Sequence, residues 1–339
     1  MTAVMEKAPG YADTAYRSNR KQKGPDEPNQ QSTLFRKGWT MGPALSKGRL
    51  SYVYPAGFLD TWTPEGLREN EEREKRKGIT EREERHTYYG RVDEEMLRYA
   101  TLPRTSWLLL WMRHGGRVVF LMLFPITLLV WLFGWTQMPS GITFKEFLLD
   151  GVIQTFCFLL LPFLVCWGIG AFLEKKFPKL VYQEPKGPLW ELNRRTGLVT
   201  LFHHPEKSDR PGEVDAQAPF HEWDGYMLSL PDHQGFIWYR LVLVHKTREW
   251  ALSLNQLVPA TTNREEVYAF WDLIRQYMDV TKPLPDIPLF EAYRHLDPTT
   301  AEYDRRKDRE PHYWRDMDDE TYKAFQRDNM DRLHRYQWG

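Results

Sequence analysis

Two apolar stretches decide the fold of this chain: VVFLMLFPITLLVWLFGW at residues 118–135 and VIQTFCFLLLPFLVCWGIGAFL at residues 152–173. Neither stretch contains Asp, Glu, Lys, Arg or His, and each approaches the roughly 20 residues that a helix needs to cross a bilayer. Tryptophans lie at their ends, as is typical of the boundary between lipid and water. The pattern predicts two transmembrane helices that form a hairpin. A buried helical hairpin of a soluble domain is the disfavoured alternative.

Four residues inside these stretches are predicted to shape the packing of the helices: Pro125, Pro162, Gly168 and Gly170. A proline inside a helix removes one backbone hydrogen bond and favours a kink. Glycines allow two helices, or a further membrane segment, to approach closely. The hairpin is therefore predicted to be more than an anchor.

Basic residues near the ends of the stretches predict the orientation. Arg113 and Arg117 precede the first stretch, and three lysines follow the second. In the connecting residues 136–151 the one basic residue is Lys145. Lys and Arg flanking membrane helices favour the cytoplasmic side, so both termini are predicted to be cytoplasmic. Residues 107–112 are apolar but short, which predicts an interfacial segment at the start of a membrane region spanning residues 105–180.

Three further regions are dominated by polar residues. Residues 1–63 are rich in Gly, Pro, Asn and Lys and are predicted to be an extended polar arm. Residues 64–104 begin at a Thr-Pro-Glu helix-start signal and are predicted to be a charged, solvated helical segment. Residues 282–339 are predicted to be a proline-rich linker and a charged tail, with a docked helix near residues 316–335.

Residues 186–281 show short alternating runs followed by one amphipathic pattern, which predicts an antiparallel β module closed by a helix. The helix is predicted to start at Asn263, with Glu266 completing a capping box. This chain order is that of pleckstrin-homology-like domains. The predicted fold class is therefore an α+β membrane protein, a transmembrane hairpin followed by a small pleckstrin-homology-like β module. Strands are expected at residues 189–193, 197–202, 220–223, 226–230, 235–245 and 249–254.

Composition excludes several functional classes. The 46 basic and 46 acidic side chains balance, which gives no indication of nucleic-acid binding. Both cysteines, Cys157 and Cys166, lie in the second apolar stretch and predict neither a disulfide nor a metal site. The remaining candidate metal ligands, His203, His204 and His221, have no diagnostic spacing, and surface histidines are the favoured interpretation. No catalytic motif or cofactor signature is found, so the protein is predicted not to be an enzyme.

The strand region offers candidates for partner binding. Trp223, Asp224, Trp238, Tyr239 and Trp250 form an aromatic group with one acid that is able to provide a recognition surface. Because aromatic residues that alternate along strands usually face the core, the core of the β module is the favoured interpretation of these side chains. Two arginines in a predicted turn, at positions 194 and 195, suggest either contact with anionic headgroups or solvated turn residues.

The sequences LWELNRRTG at residues 189–197 and EVYAFW at residues 266–271, together with the polar arm and the two-helix hairpin, resemble a family of uncharacterised proteins. Its members are inner-membrane proteins of Gram-negative bacteria encoded near type VI secretion and Rhs toxin genes. The resemblance covers residues 16–300 and carries no active-site residue. It implies an immunity protein or effector adaptor that binds a protein partner, a secreted bacterial toxin, at the bilayer. The alternative is a structural membrane scaffold whose β module binds lipid headgroups or another membrane protein. The oligomeric state stays open.

Overall fold

The structure, a computed structural model, describes residues 10–20, 42–78, 90–137 and 143–336. It divides into two compact units, an α+β unit (Met1–Ala100 with Gly187–Gly339) and a helical unit (Thr101–Lys186). Two long apolar helices and two antiparallel sheets make the protein α+β, which confirms the predicted class at this level.

The elements in chain order are α1 (Ala56–Thr61), α2 (Pro64–Lys77), β1 (Arg91–Val92), β2 (Met96–Tyr99), α3 (Arg104–Thr136), α4 (Phe144–Lys176), α5 (Pro178–Val181), β3 (Trp190–Asn193), β4 (Leu198–Phe202), β5 (Val214–Pro219), β6 (Trp223–Pro231), β7 (Ile237–His245), β8 (Ala251–Ser253), α6 (Arg264–Met278), α7 (Pro298–Lys307) and α8 (Asp319–Arg335). Short 3-10 helices cover Phe220–Glu222 and Pro288–Leu296.

The first sheet of the α+β unit has the strand order β1-β2-β3-β4-β5, and the second has β6-β7-β8. The predicted β3–β4 hairpin is confirmed, with Leu192 opposite Val199. The strands β1 and β2 lie within the segment predicted to be a charged helix; among the described residues that helix is only Pro64–Lys77. The residues of β2 are extended because they pair with β3, with Leu97 opposite Leu192. This contact joins residues that are distant in sequence, so the local charge pattern does not reveal it.

The helical unit interrupts the chain between two neighbouring strands. Tyr99 at the end of β2 pairs with Trp190 at the start of β3. The N–H of Leu189 donates to the carbonyl of Tyr99 at 2.8 Å. A single antiparallel sheet therefore continues across a sequence gap that contains all residues of the helical unit.

Helix α6 packs on the strands of the α+β unit, as its amphipathic pattern predicts. Its apolar stripe, which includes Phe270, Trp271 and Ile274, is buried in the core with side chains of both sheets. Asn263 caps the helix by accepting the N–H of Glu265 at 3.1 Å. The predicted capping box is wrong in one part, because the Glu266 carboxylate instead accepts the N–H of Ala56 at 2.9 Å.

The polar arm is docked wherever it is described. Tyr54, Phe58 and Leu59 are buried in the main core, so residues 42–63 are not an extended solvated arm. Residues 10–20 lie over the β3–β4 turn, where Gly197 has a φ of 70° and a Cβ atom there would lie 2.6 Å from the carbonyl oxygen of Thr14. Residues 1–9 and 21–41 of the predicted arm are outside the described residues.

The C-terminal region also packs on the α+β unit. Leu284, Ile287 and Phe290, which alternate with the prolines of the predicted linker, are buried. The predicted docked helix is confirmed as α8, whose Asn329 exchanges hydrogen bonds with the backbone of Tyr54 at 2.9 and 2.7 Å. The proline-rich segment is thus part of the core and not a linker, because burial of its apolar side chains stabilises a fixed position.

The helical unit contains two helices of 33 residues each, α3 and α4, both long and apolar enough to cross a membrane. Only 6% and 11% of the most hydrophobic window of each helix is buried. Residues 107–112, predicted to be a separate interfacial segment, are continuous with α3. Helix α4 includes two π-helical stretches, Phe147–Ile153 and Phe156–Leu160, just before Pro162, which has no N–H to continue the regular ladder.

Candidate functional site

Two of the five predicted partner-binding residues lie against each other inside the α+β unit. Trp223 is fully buried, with its ring stacked on that of half-buried Trp250 at a centroid distance of 6.5 Å. The imidazole of His245 lies edge-on to Trp223 at 5.3 Å. Trp223 therefore has no surface for a partner, because its alternating strand position faces the core.

Asp224, the predicted acidic member of the group, forms an ion pair with Lys47. The distance from its Oδ1 to the Lys47 Nζ is 2.6 Å, and the same ammonium donates to the carbonyl of Trp223 at 3.0 Å. Burial lowers the pKa of Lys47, and the interaction with Asp224 opposes that shift. Asp224 thus fixes an N-terminal segment onto β6.

Trp238 and Tyr239 lie elsewhere, near the connection between β6 and β7. We define the β6–β7 tip as Leu230, Phe236, Ile237 and Trp238, whose exposed fractions are 38%, 59%, 46% and 39%. Leu230 is opposite Trp238 and Pro231 is opposite Ile237, so the tip presents apolar side chains on both faces of the ribbon. Tyr239 is half-buried beneath it, with the Arg264 guanidinium 5.6 Å from its ring centroid.

Asp232 orders the tip. Its carboxylate accepts the N–H groups of Gln234 at 2.8 Å and Phe236 at 2.9 Å, and the indole N–H of Trp238 at 3.2 Å. Desolvation raises the pKa of Asp232, but these hydrogen bonds outweigh it and the pKa is lowered. The exposed aromatic side chains are therefore held by a charged residue in a defined turn.

The histidines do not converge on a metal site. Within the part of the chain that the structure describes, no group of three or more His, Cys, Asp and Glu is placed to hold a metal ion. His203 lies 3.6 Å from Asp215, and His221 lies 4.0 Å from its neighbour Glu222. The better-placed histidine is one that the sequence did not single out, His245, whose Nε2 lies 3.0 Å from the Glu222 carboxylate.

The arginines of the β3–β4 turn are buried, so both of their predicted roles, headgroup contact and solvated turn residues, are wrong. Arg194 has no exposed surface and forms an ion pair with Asp297 at 2.9 Å. It also donates to the main-chain carbonyl oxygens at the end of α6, including that of Tyr277. Burial raises the pKa of Asp297, but the adjacent guanidinium outweighs it and lowers the pKa. The pair stabilises the fold and leaves no cation at the surface.

The α+β unit contains two cavities lined by charged residues. The acid–base cavity, of about 500 Å³, is lined by residues that include Glu71, Glu291, Arg294, Asp304, Arg309 and Arg315. The basic cavity, of about 370 Å³, is lined by residues that include Ser18, Lys47, Arg49, Arg275, Asp279 and Lys282.

The charges of the acid–base cavity neutralise one another. Arg294 pairs with Asp304 at 2.6 Å, and Arg315 pairs with Glu71 at 3.3 Å. The Glu291 carboxylate accepts two main-chain N–H groups, those of Trp314 at 2.5 Å and Arg315 at 2.8 Å. The polar side chains of the acid–base cavity therefore join α2, the 3-10 helix Pro288–Leu296 and the segment before α8.

Within the helical unit, close packing involves Gly170 but not Gly168. A Cβ atom on Gly170 would lie 2.7 Å from the backbone nitrogen of Arg113, whereas one on Gly168 would meet nothing within 4 Å. Gly116, which was not among the predicted packing residues, approaches the other helix almost as closely, because a Cβ atom there would lie 3.0 Å from the backbone nitrogen of Trp167. Pro125 lies inside α3 and Pro162 at the start of the regular part of α4.

Comparisons of this chain with protein-family models, with curated proteins and with solved structures found no match.

Proposed function

We propose that this protein is a non-catalytic membrane protein whose helical unit is a transmembrane hairpin and whose α+β unit binds a protein partner. The observation that carries the proposal is the combination of two apolar 33-residue helices, almost unburied, with a separate folded unit. Apolar surface exposed to water costs about 25 cal/mol per Å², so lipid is the surrounding that suits these helices. The basic residues that flank them favour cytoplasmic termini.

The finer architecture is part of the proposal. Seven antiparallel strands, β2 to β8, precede α6 and form parts of two sheets. That order supports a pleckstrin-homology-like arrangement, into which the transmembrane hairpin is inserted after the first strand of the seven. Because folds of this kind serve many functions, the arrangement by itself favours no particular ligand.

The β6–β7 tip is the surface that suits a protein partner best. Buried aromatic anchors dominate the free energy of many protein interfaces, and the tip carries two aromatic and two aliphatic side chains exposed to solvent. Since both faces of the ribbon are apolar, a groove able to enclose the tip would bury more of it than a flat surface. The partner is therefore expected to offer an apolar groove with a hydrogen-bond donor near Asp232.

Charge favours a protein groove over an anionic bilayer as the environment of the tip. Residues 230–238 contain no Lys or Arg, whereas segments that bind anionic lipid carry basic residues. The one charged side chain in this segment is Asp232, whose pKa is lowered as described above. A carboxylate next to anionic headgroups is repelled by them.

We propose a bacterial inner-membrane location and a secreted toxin of a type VI system as the partner, with the chain acting as its immunity protein or effector adaptor. This part is supported by the resemblance at residues 189–197 and 266–271. Co-expression with the effector encoded next to this gene tests it. Wild-type protein is expected to co-purify with the effector, and the double variant Phe236→Ser/Ile237→Ser is expected to lose it.

The matched control is Val214→Ser/Tyr313→Ser, which removes one exposed aliphatic and one exposed aromatic side chain outside the tip. It is expected to retain the effector. An effector that remains toxic and does not co-purify with wild-type protein would remove the toxin from the proposal. Recovery of another inner-membrane protein instead would favour the membrane scaffold.

A further inference from the structure

Among the described residues, the lining of the basic cavity carries more positive than negative charge. The described lining includes Lys47, Arg49, Arg275 and Lys282, and its one acidic residue is Asp279. Asp279 is buried, and its Oδ1 already accepts the Thr281 hydroxyl at 2.7 Å and the N–H of Ser18 at 3.3 Å. The acid of the cavity wall is thus engaged in fixing the chain.

Two of the four cations are held in place by partners. The Arg275 guanidinium pairs with Asp272 at 2.9 Å and donates to the carbonyl oxygens of Lys47 and Gly48, each at 2.6 Å. Lys47 pairs with Asp224 as described above. These contacts fix the loop that forms one wall of the cavity, so its cationic groups are positioned before any ligand binds.

The other two cations, Arg49 and Lys282, lack a carboxylate partner among the described residues. Each arginine of the acid–base cavity has one. Arg49 and Lys282 nevertheless line the same cavity as two further cations. Like charges that share a cavity repel unless an anion lies between them. Within the described part of the chain, the basic cavity therefore lacks a carboxylate that pairs with Arg49 or Lys282, whereas the walls of the acid–base cavity supply carboxylates for its arginines.

We propose that the basic cavity binds a phosphate-bearing ligand through Arg49 and Lys282, with Arg275 and Lys47 completing the positive wall. Arginine and lysine are the usual partners of phosphate, because a guanidinium offers a fork of N–H donors and an ammonium a compact charge. The volume of about 370 Å³ lies within the range of about 300–1,000 Å³ typical of ligand pockets. The site uses no residue of the β6–β7 tip and goes beyond partner binding.

The phosphate group can come from a soluble metabolite or from a phospholipid headgroup. Glycerol 3-phosphate and dihexanoyl phosphatidic acid carry the same phosphomonoester, without and with acyl chains. Binding of each is measured by the shift in thermal unfolding of the full chain in an uncharged detergent, at constant ionic strength. A ligand that binds only the folded state raises its stability as its concentration exceeds the dissociation constant.

The test variant is Arg49→Gln/Lys282→Met, and the matched control is Arg305→Gln/Lys307→Met, which removes the same two charges from an exposed helix end. Because the test variant lacks two charge-assisted hydrogen-bond donors, it is expected to bind the phosphate about a hundredfold more weakly or worse. The control is expected to bind like wild type. Unchanged unfolding temperatures without ligand show that the test variant folds.

Stabilisation of wild type and control but not of the test variant supports the site. Equal stabilisation of all three proteins, or of none by either ligand, overturns it. Much tighter binding of the phosphatidic acid than of glycerol 3-phosphate assigns the site to a lipid headgroup, and equal binding assigns it to a soluble phosphate. The tip variant Phe236→Ser/Ile237→Ser is expected to bind phosphate normally, which separates this site from the proposed partner surface.

Discussion

The helical unit and the α+β unit arrange the same residue types in opposite ways. In the helical unit, Phe133 and Phe158 are 68% and 79% exposed. In the α+β unit, Trp223 and Trp271 are buried, as is the charged side chain of Arg194. The hydrophobic effect acts on apolar side chains in water, so only the α+β unit is organised by it from within. The difference is the one expected if α3 and α4 lie in hydrocarbon, as proposed above, and the α+β unit lies in water.

Both units pair opposite charges. Arg194 is buried with Asp297 in the α+β unit, and the partly exposed Arg113 forms an ion pair with Glu174 in the helical unit. A charge removed from water is tolerated only when an opposite charge compensates it. The two units therefore differ in where they place apolar side chains and not in how they compensate charge.

The largest expected effect comes from removing the helical unit. Since Tyr99 and Leu189 are already joined by a backbone hydrogen bond of 2.8 Å, a short turn such as Asn-Gly in place of residues 100–188 is expected to connect β2 and β3 directly. The deletion variant is expected to be folded and soluble without detergent, whereas the full chain is expected to require detergent. Circular dichroism and sedimentation in detergent-free buffer check this.

The control for the deletion keeps the helices and replaces only the connecting residues 137–143 with a Gly-Ser linker, which is expected to leave the requirement for detergent unchanged. A deletion variant that aggregates although its strands form would mean that the α+β unit also depends on the helices. In that case the division into two independently organised units would be wrong.

Local signals in the sequence were sufficient for much of the α+β unit. The Thr63 cap with Pro64 at the first helical position, the β3–β4 turn and the start of α6 at Asn263 all depend on neighbouring residues. Such signals work because caps and turns are fixed by hydrogen bonds within a few residues. The positions of these elements were therefore predictable.

Contacts between distant residues account for most of what the sequence did not reveal. Leu97 and Leu192, which pair in the sheet, lie on either side of the helical unit in the sequence, and Arg194 and Asp297 are separated by 103 residues. Trp223 and Trp238 look alike in sequence, but only the second projects beyond the core. Which aromatic residue of a strand reaches a partner depends on where the sheet ends, and that is a property of tertiary structure.

The second prediction tests buried charge in the α+β unit. Arg194→Met is expected to lower the free energy of unfolding by about 3–5 kcal/mol, because it leaves the buried Asp297 carboxylate without its counter-charge. Urea unfolding of the full chain in detergent, followed by tryptophan fluorescence, measures the change. The control Arg305→Met removes an exposed arginine paired with Glu302 at 2.6 Å and is expected to cost at most about 1 kcal/mol. Equal effects of the two variants would contradict the assigned role of Arg194.

The third prediction tests packing in the helical unit. Gly170→Leu is expected to destabilise the contact between α3 and α4 by about 1–3 kcal/mol, because its side chain would collide with the backbone of Arg113. Gly168→Leu, on the same helix with open space around it, is the matched control. Unfolding in mixed micelles with a rising fraction of SDS compares them. If both variants unfold at the same SDS fraction as wild type, α3 and α4 do not pack through Gly170.

The smallest expected effect concerns the partly buried polar network around His245. Its Nδ1 accepts the N–H groups of Thr247 at 3.2 Å and Arg248 at 3.1 Å, so protonation of that nitrogen would break both hydrogen bonds. Desolvation lowers the pKa of His245, and the nearby Glu222 opposes the shift without reversing it. The unfolded chain therefore binds the proton more readily, and stability should fall as the pH falls through the ordinary histidine value of about 6.5.

Urea unfolding between about pH 7.5 and pH 5 should show a shallower pH dependence of stability for His245→Gln than for wild type. The control His233→Gln, at an exposed position, should have the same pH dependence as wild type. Identical pH profiles for wild type and His245→Gln would assign the acid sensitivity to other groups.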